Sequence, residues 1–235
     1  MNSERKALQL RYQRICNLGL SEPLRKTGFR RRGRRFVKWI DDELCHVVWP
    51  YRGKITLPGR SSFTVDCHVF VAATWKVYPE YALSVQRQLG HTINVRVSQI
   101  CDDRGDKWWD LRSNDSPARD DDIIADLRER VHRCVLPWLE QFQSVRDVGD
   151  YLATPERGPG RARFGYREIV QSPGDLRSAA IAYFAAGEFG LARKMLELAE
   201  RTVNIPVSAE ANAELRARLE KLIAEKTGGV SGSSA

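Results

Sequence analysis

The sequence contains no apolar run approaching the roughly 18 residues that a membrane-spanning helix requires. No charged, then apolar, then small-residue segment stands at its beginning, so a secretory leader is not expected. There is no C-x-x-C, which removes support for a zinc ribbon or a thioredoxin-type redox motif. Neither the P-loop spacing nor the glycine spacing of dinucleotide-binding turns occurs. A Ser-His-Asp order, a nucleophile elbow and H-E-x-x-H are missing too, so no catalytic residues and no cofactor are expected. The cysteines are only five, Cys16, Cys45, Cys67, Cys101 and Cys134, odd in number and widely spaced. A chain of 235 residues buries enough core to need no disulfide. Free, mostly buried thiols in a reducing compartment are expected, which makes the cytoplasm the expected location.

What is present is an ordinary globular composition, 42% hydrophobic and 29% charged, which excludes a wholly disordered chain. The formal net charge is +8. Residues 25–38, RKTGFRRRGRRFVK, hold eight basic residues and no acidic one. The rest of the chain carries 30 residues of each sign, so the whole net charge sits in this one stretch.

Residues 3–18 read as an amphipathic helix, and a short helical piece near 21–26 stops before Gly28. Strands are expected at 36–40 and 44–49, with Pro50 closing the second, then at 63–71 and 93–100. Residues 52–62 read as a loop, and Trp108, Trp109 and Leu111 as a last short strand. A long helix capped by Asp115 or Ser116 follows, with Pro137 kinking or breaking it and Phe142 on its apolar stripe. Residues 154–174, rich in proline, glycine and arginine, read as a linker. After it come helices at 175–186, 190–201 and 208–224, then a tail at 227–235 with nothing to bury. The expected fold class is α+β, an antiparallel sheet packed by helices with a C-terminal helical hairpin extension. The expected domains are 1–153, the linker 154–174 and the extension 175–226.

The cluster Arg30, Arg31, Arg32, Arg34 and Arg35 is the candidate anion- or nucleic-acid-binding site. Guanidinium groups fork onto phosphate, and Phe29 and Phe36 could stack on bases beside them. The alternative is a solvated turn between a helix and a strand. Trp108 and Trp109 are candidate contact aromatics, with one ring expected to pack inward. Cys45-His46 and Cys67-His68 sit on strands, where neighbours point to opposite faces, so no metal is expected. His91 and His132 have no evident partners. The acidic groups Asp102, Asp103 and Asp106 read as a turn, and Asp120, Asp121 and Asp122 as charges favoured at a helix start.

Four segments taken in order, PLRKTGFRRRGRRFVK, SSFTVDCHVF, DKWWDL and VLPWLEQFQSVRDVGDYL, resemble the bacterial family named domain of unknown function 4304, over roughly residues 5–152. The resemblance implies a small bacterial α+β domain and brings no activity, cofactor or catalytic residue. It also implies that a basic run before a strand can belong to the scaffold. HTINVRVSQICDD departs from the family pattern. Outside the resemblance, Ala182, Ala186 and Ala192 with Tyr183, Phe184 and Phe189 resemble one tetratricopeptide-type helical pair.

The first functional expectation is a non-enzymatic protein-partner-binding or accessory module, with no membrane partner. The alternative is a nucleic-acid-associated protein that binds through the arginine cluster. An unrecognised hydrolase comes last.

Overall fold

The structure, a computed structural model, describes residues 2–53, 58–79, 92–101, 105–154, 172–202 and 206–228. The linker expected at 154–174 lies largely outside these residues, as do His91, Asp102, Asp103 and most of the expected tail. The fold is mixed α+β, with a six-stranded antiparallel sheet and C-terminal helices. The chain forms two compact units. Unit 1 comprises residues 1–39, 45–69 and 93–141, and unit 2 residues 40–44, 70–92 and 142–235. Among the described residues no helix is long and apolar enough to cross a membrane.

Unit 1 opens with α1 (Asn2–Cys16), a π-type turn (Asn17–Ser21) and α2 (Glu22–Lys26). Leu8, Tyr12, Ile15 and Cys16 are buried at helical spacing, as the periodicity predicts. The strands are β1 (Arg30–Arg32), β2 (Arg35–Trp39), β3 (Leu44–Arg52), β4 (Arg60–Val71), β5 (Ile93–Arg96) and β6 (Trp109–Arg112). Their order is β1-β2-β3-β4-β5, with β6 also pairing with β4. Tyr12 packs edge-on against Phe63 at 5.3 Å, and its hydroxyl donates to the Pro50 carbonyl at 2.7 Å. Phe63 stacks on Trp109 at 5.2 Å.

Several boundaries differ from the sequence expectation. β3 does not close at Pro50 but runs on to Arg52. β2 pairs with β3 from Trp39 opposite Cys45 to Phe36 opposite Val48, so Pro50 lies past these pairs and its missing N–H costs no bond on that side. β4 begins at Arg60, inside the expected loop. The alternation from 93 to 100 is strand only to Arg96. There the Gln99 side chain accepts from the Arg96 N–H at 2.8 Å and starts α4 (Val97–Ile100). The long helix is α5 (Pro117–Arg130), capped by Ser116. It widens into a π-type turn (Val131–Val135) and restarts as α6 (Leu136–Leu139), with Pro137 in its first turn. Phe142 lies beyond it.

Unit 2 contains α3 (Ala73–Val77), α7 (Val145–Ala153), α8 (Pro173–Ala185), α9 (Phe189–Arg201) and α10 (Pro206–Gly228). Sequence places α7 with the N-terminal part of the chain, yet it belongs to this unit. Gly149 explains why: a Cβ there would stand 2.8 Å from the Tyr183 ring, so only glycine lets α7 and α8 approach this closely. The Tyr183 hydroxyl donates to Asp150 Oδ1 at 2.7 Å across the same contact. Leu176, Ala180, Phe184, Leu196, Leu215 and Leu219 are among the buried residues.

Candidate functional site

The arginine run is not the featureless turn that a basic stretch suggests. It folds into a hairpin of β1 and β2 joined by Gly33 and Arg34, with Gly33 at φ +62°, where a side chain would be strained. β1 ends the strand order, and all three of its residues are exposed. The register pairs Arg30 with Val37, Arg31 with Phe36 and Arg32 with Arg35. Directly opposed residues share a face and faces alternate along each strand. Arg30, Arg32, Arg35 and Trp39 therefore share one face, and Arg31, Phe36 and Lys38 the other.

Arg31 has local tasks. It donates to the Asn17 side chain and, at 3.1 Å, to the Gly33 carbonyl, and its guanidinium stands 6.0 Å from the Phe36 ring. Arg35 lies 4.6 Å over the Trp49 ring. Burial pushes the Arg35 guanidinium below its ordinary range, and the ring face beneath it is a source of compensating attraction. None of the five arginines meets a carboxylate among the described residues. Elsewhere in unit 1, Arg11, Arg14, Arg60, Arg96, Arg128 and Arg130 pair with Asp or Glu, whereas Arg5, Arg25, Arg52, Arg112 and Arg119 do not among the described residues, so what sets the hairpin apart is the gathering of its unpaired arginines in one short run.

Phe29 and Phe36 are buried, because their rings complete the core beneath the hairpin, and they are not placed to stack on a base. The rings on the face of Arg30, Arg32 and Arg35 are Trp39, 38% exposed, and half-buried Trp49, with the buried Val37, Cys45 and Val47 on the same face. Trp109 is a core residue, stacked on Phe63, with its indole N–H donating to Asp126 Oδ2 at 2.8 Å. That removes it from the surface contacts expected of it. Trp108 is half-buried, 6.4 Å from Tyr51, with the Arg96 guanidinium 5.4 Å from its ring. Tyr51 in turn meets Trp49 edge-on at 5.1 Å, and Trp49 lies 6.1 Å from the His68 ring. Thr64, Asp66 and His68 on this side of β4 are buried although they are polar.

This aromatic row escapes a reading of the sequence. The strand expected to stop at Trp49 does not reach Tyr51, and Trp108, expected in the last short strand, lies just before β6, which begins at Trp109. The signal that could find it is the period of two continuing from Trp49 through Pro50 to Tyr51.

The other candidate residues have structural tasks. Asp106 and Asp66 both pair with Arg96. Asp120, buried near the start of α5, accepts from Arg11 at 2.5 Å and pairs with Arg14, which also reaches Asp121. His132 is exposed. Burial pushes the thiols of Cys16, Cys45 and Cys101 up to about 12 and that of Cys67 well above its ordinary value, so none is set up as a thiolate nucleophile. Among the described residues no group of three or more His, Cys, Asp or Glu side chains could hold a metal ion. Comparison of the chain with family models, with curated proteins and with solved structures finds no match.

Proposed function

We propose that the protein is a binding module, not a catalyst, and that unit 1 associates with nucleic acid through the hairpin of β1 and β2. The observation that carries this reading is the unpaired arginine set. Uncompensated guanidinium charge on an exposed strand raises the local positive potential and is free to fork onto phosphates. Arg30, Arg32 and Arg34 are the phosphate contacts, because Arg31 is occupied by Asn17 and the turn. The basic run thus serves as a site as well as a scaffold. A cytoplasmic location suits the five free thiols.

Binding driven by displaced counterions falls steeply with salt. Three phosphate contacts predict a slope of log affinity against log salt of roughly −2 to −3. The triple substitution Arg30→Gln, Arg32→Gln, Arg34→Gln should abolish binding to labelled oligonucleotides in an anisotropy titration. Affinity unchanged by salt or by the triple variant would sink the reading.

A second reading, capture of a partner protein, is favoured by the exposed indole of Trp39. It predicts an association that survives the triple variant and is lost in Trp39→Ser.

A further inference from the structure

We infer that the nucleic acid recognised by unit 1 is single-stranded, its bases stacking on the aromatic row that crosses the sheet from Arg35 to Arg96. The inference rests on the nucleic-acid reading above and specifies its ligand. The row runs without a break. Arg35 on β2 covers Trp49 at 4.6 Å, Trp49 meets Tyr51 along β3, Tyr51 meets Trp108 just before β6, and Arg96 at the end of β5 closes the series at 5.4 Å. Both ring–ring contacts are edge to face, with interplanar angles of 77° and 65°. Trp49 already carries the Arg35 guanidinium and, at 6.1 Å and 33°, the His68 ring, so Tyr51 and Trp108 are the rings on which bases would stack. All three rings are half-buried, not sealed in the core.

Two further observations align with this row. The register puts Arg30 and Arg32 on the same face as Arg35, so unpaired charge and aromatic surface lie on one side of the sheet. A single strand needs both, cations that follow its phosphates and rings that receive its unpaired bases. A guanidinium plane lying on an indole, as Arg35 lies on Trp49, is itself a platform for a base. A duplex keeps its base faces inside and would use the arginines alone. An acidic protein segment would also use the arginines and ignore the rings.

The test uses the full chain in fluorescence anisotropy with three probes: an oligothymidylate of about a dozen nucleotides, a duplex of matching length, and a polyglutamate peptide. The single strand should bind more tightly than the duplex or the peptide. Tyr51→Leu and Trp108→Leu should each weaken it roughly 5- to 150-fold without changing the salt slope. Trp108→Phe, which restores a ring, should recover most of the loss, and thermal melts confirm that each variant is folded. Arg30→Gln should instead lower the salt slope by about 0.7. Equal binding of duplex and single strand, or folded ring variants that bind as well as the parent, would overturn the stacking inference and leave the nucleic-acid reading standing. Binding of polyglutamate with no binding of either nucleic acid would overturn both.

Discussion

Asp126 collects three donors: the Trp109 indole at 2.8 Å, Arg130 Nε at 2.7 Å and Lys107 Nζ at 3.1 Å. Burial by itself would raise this carboxyl, but the donors outweigh it and hold its pKa below the ordinary aspartate value. A carboxyl depressed in the folded state contributes stability above its unfolded pKa, near 3.9, and loses it as pH falls through the lower folded value. Urea midpoints measured from neutral pH downward should therefore hold until about pH 4 and then drop. Asp126→Asn should be less stable at neutral pH and flatter in acid, and an acid slope identical to the parent's would contradict the assignment. Only half of this cluster is legible in the sequence. Asp126 and Arg130 are an i,i+4 pair on α5, which spacing can join, but nothing local ties them to Lys107 and Trp109. The acid run Asp120, Asp121 and Asp122 was legible, because a helix start favours negative charge whatever the tertiary partners are.

Among the elements, those with a strict period and a clear cap were legible in sequence: α1, α5 with Ser116, and β4 with its alternating Phe63, Val65, Cys67 and Val69. The β1–β2 hairpin was not. Three consecutive arginines carry no alternation of polarity, so a strand of them is invisible to a pattern that looks for one buried face. What places it is the turn at Gly33, whose φ of +62° belongs to the left-handed region, with open space around any added Cβ. Substitution there tests backbone strain without a steric clash. Gly33→Val should cost roughly 1–2 kcal/mol in thermal or urea unfolding, and Gly33→Asn clearly less, since asparagine enters this region more readily. Equal midpoints for the two variants would show that the turn does not depend on its left-handed residue.

The whole molecule is not divided where composition changes. Sequence suggests a cut near residue 153, because proline, glycine and arginine dominate beyond it. Tertiary packing instead brings the described residues of 40–44, 70–92 and 142–235 into unit 2. A fragment ending at residue 153 would keep α7 but lose α8, and with it the Tyr183 ring seated on Gly149 and the bond to Asp150. Val148, Tyr151 and Leu152, buried in the full chain, lose the helix that packs against α7. Such a fragment should bind a hydrophobic dye and aggregate where the full chain does not. A fragment that stays monomeric with a cooperative melt would show that α7 needs no α8. Composition marks where a chain is polar, whereas only packing marks where it can be cut, and packing across long separations leaves no local trace.

β1 stands at one end of the strand order, and an end strand offers unpaired backbone groups to any strand that arrives. Two copies approaching there would bring Arg30, Arg31 and Arg32 of each against the other, charge facing like charge. The arginines are therefore also a safeguard against self-association. Stripping them to remove binding uncovers that edge, so the triple glutamine variant should show a greater tendency to self-associate than the parent, which light scattering beside the anisotropy titration checks.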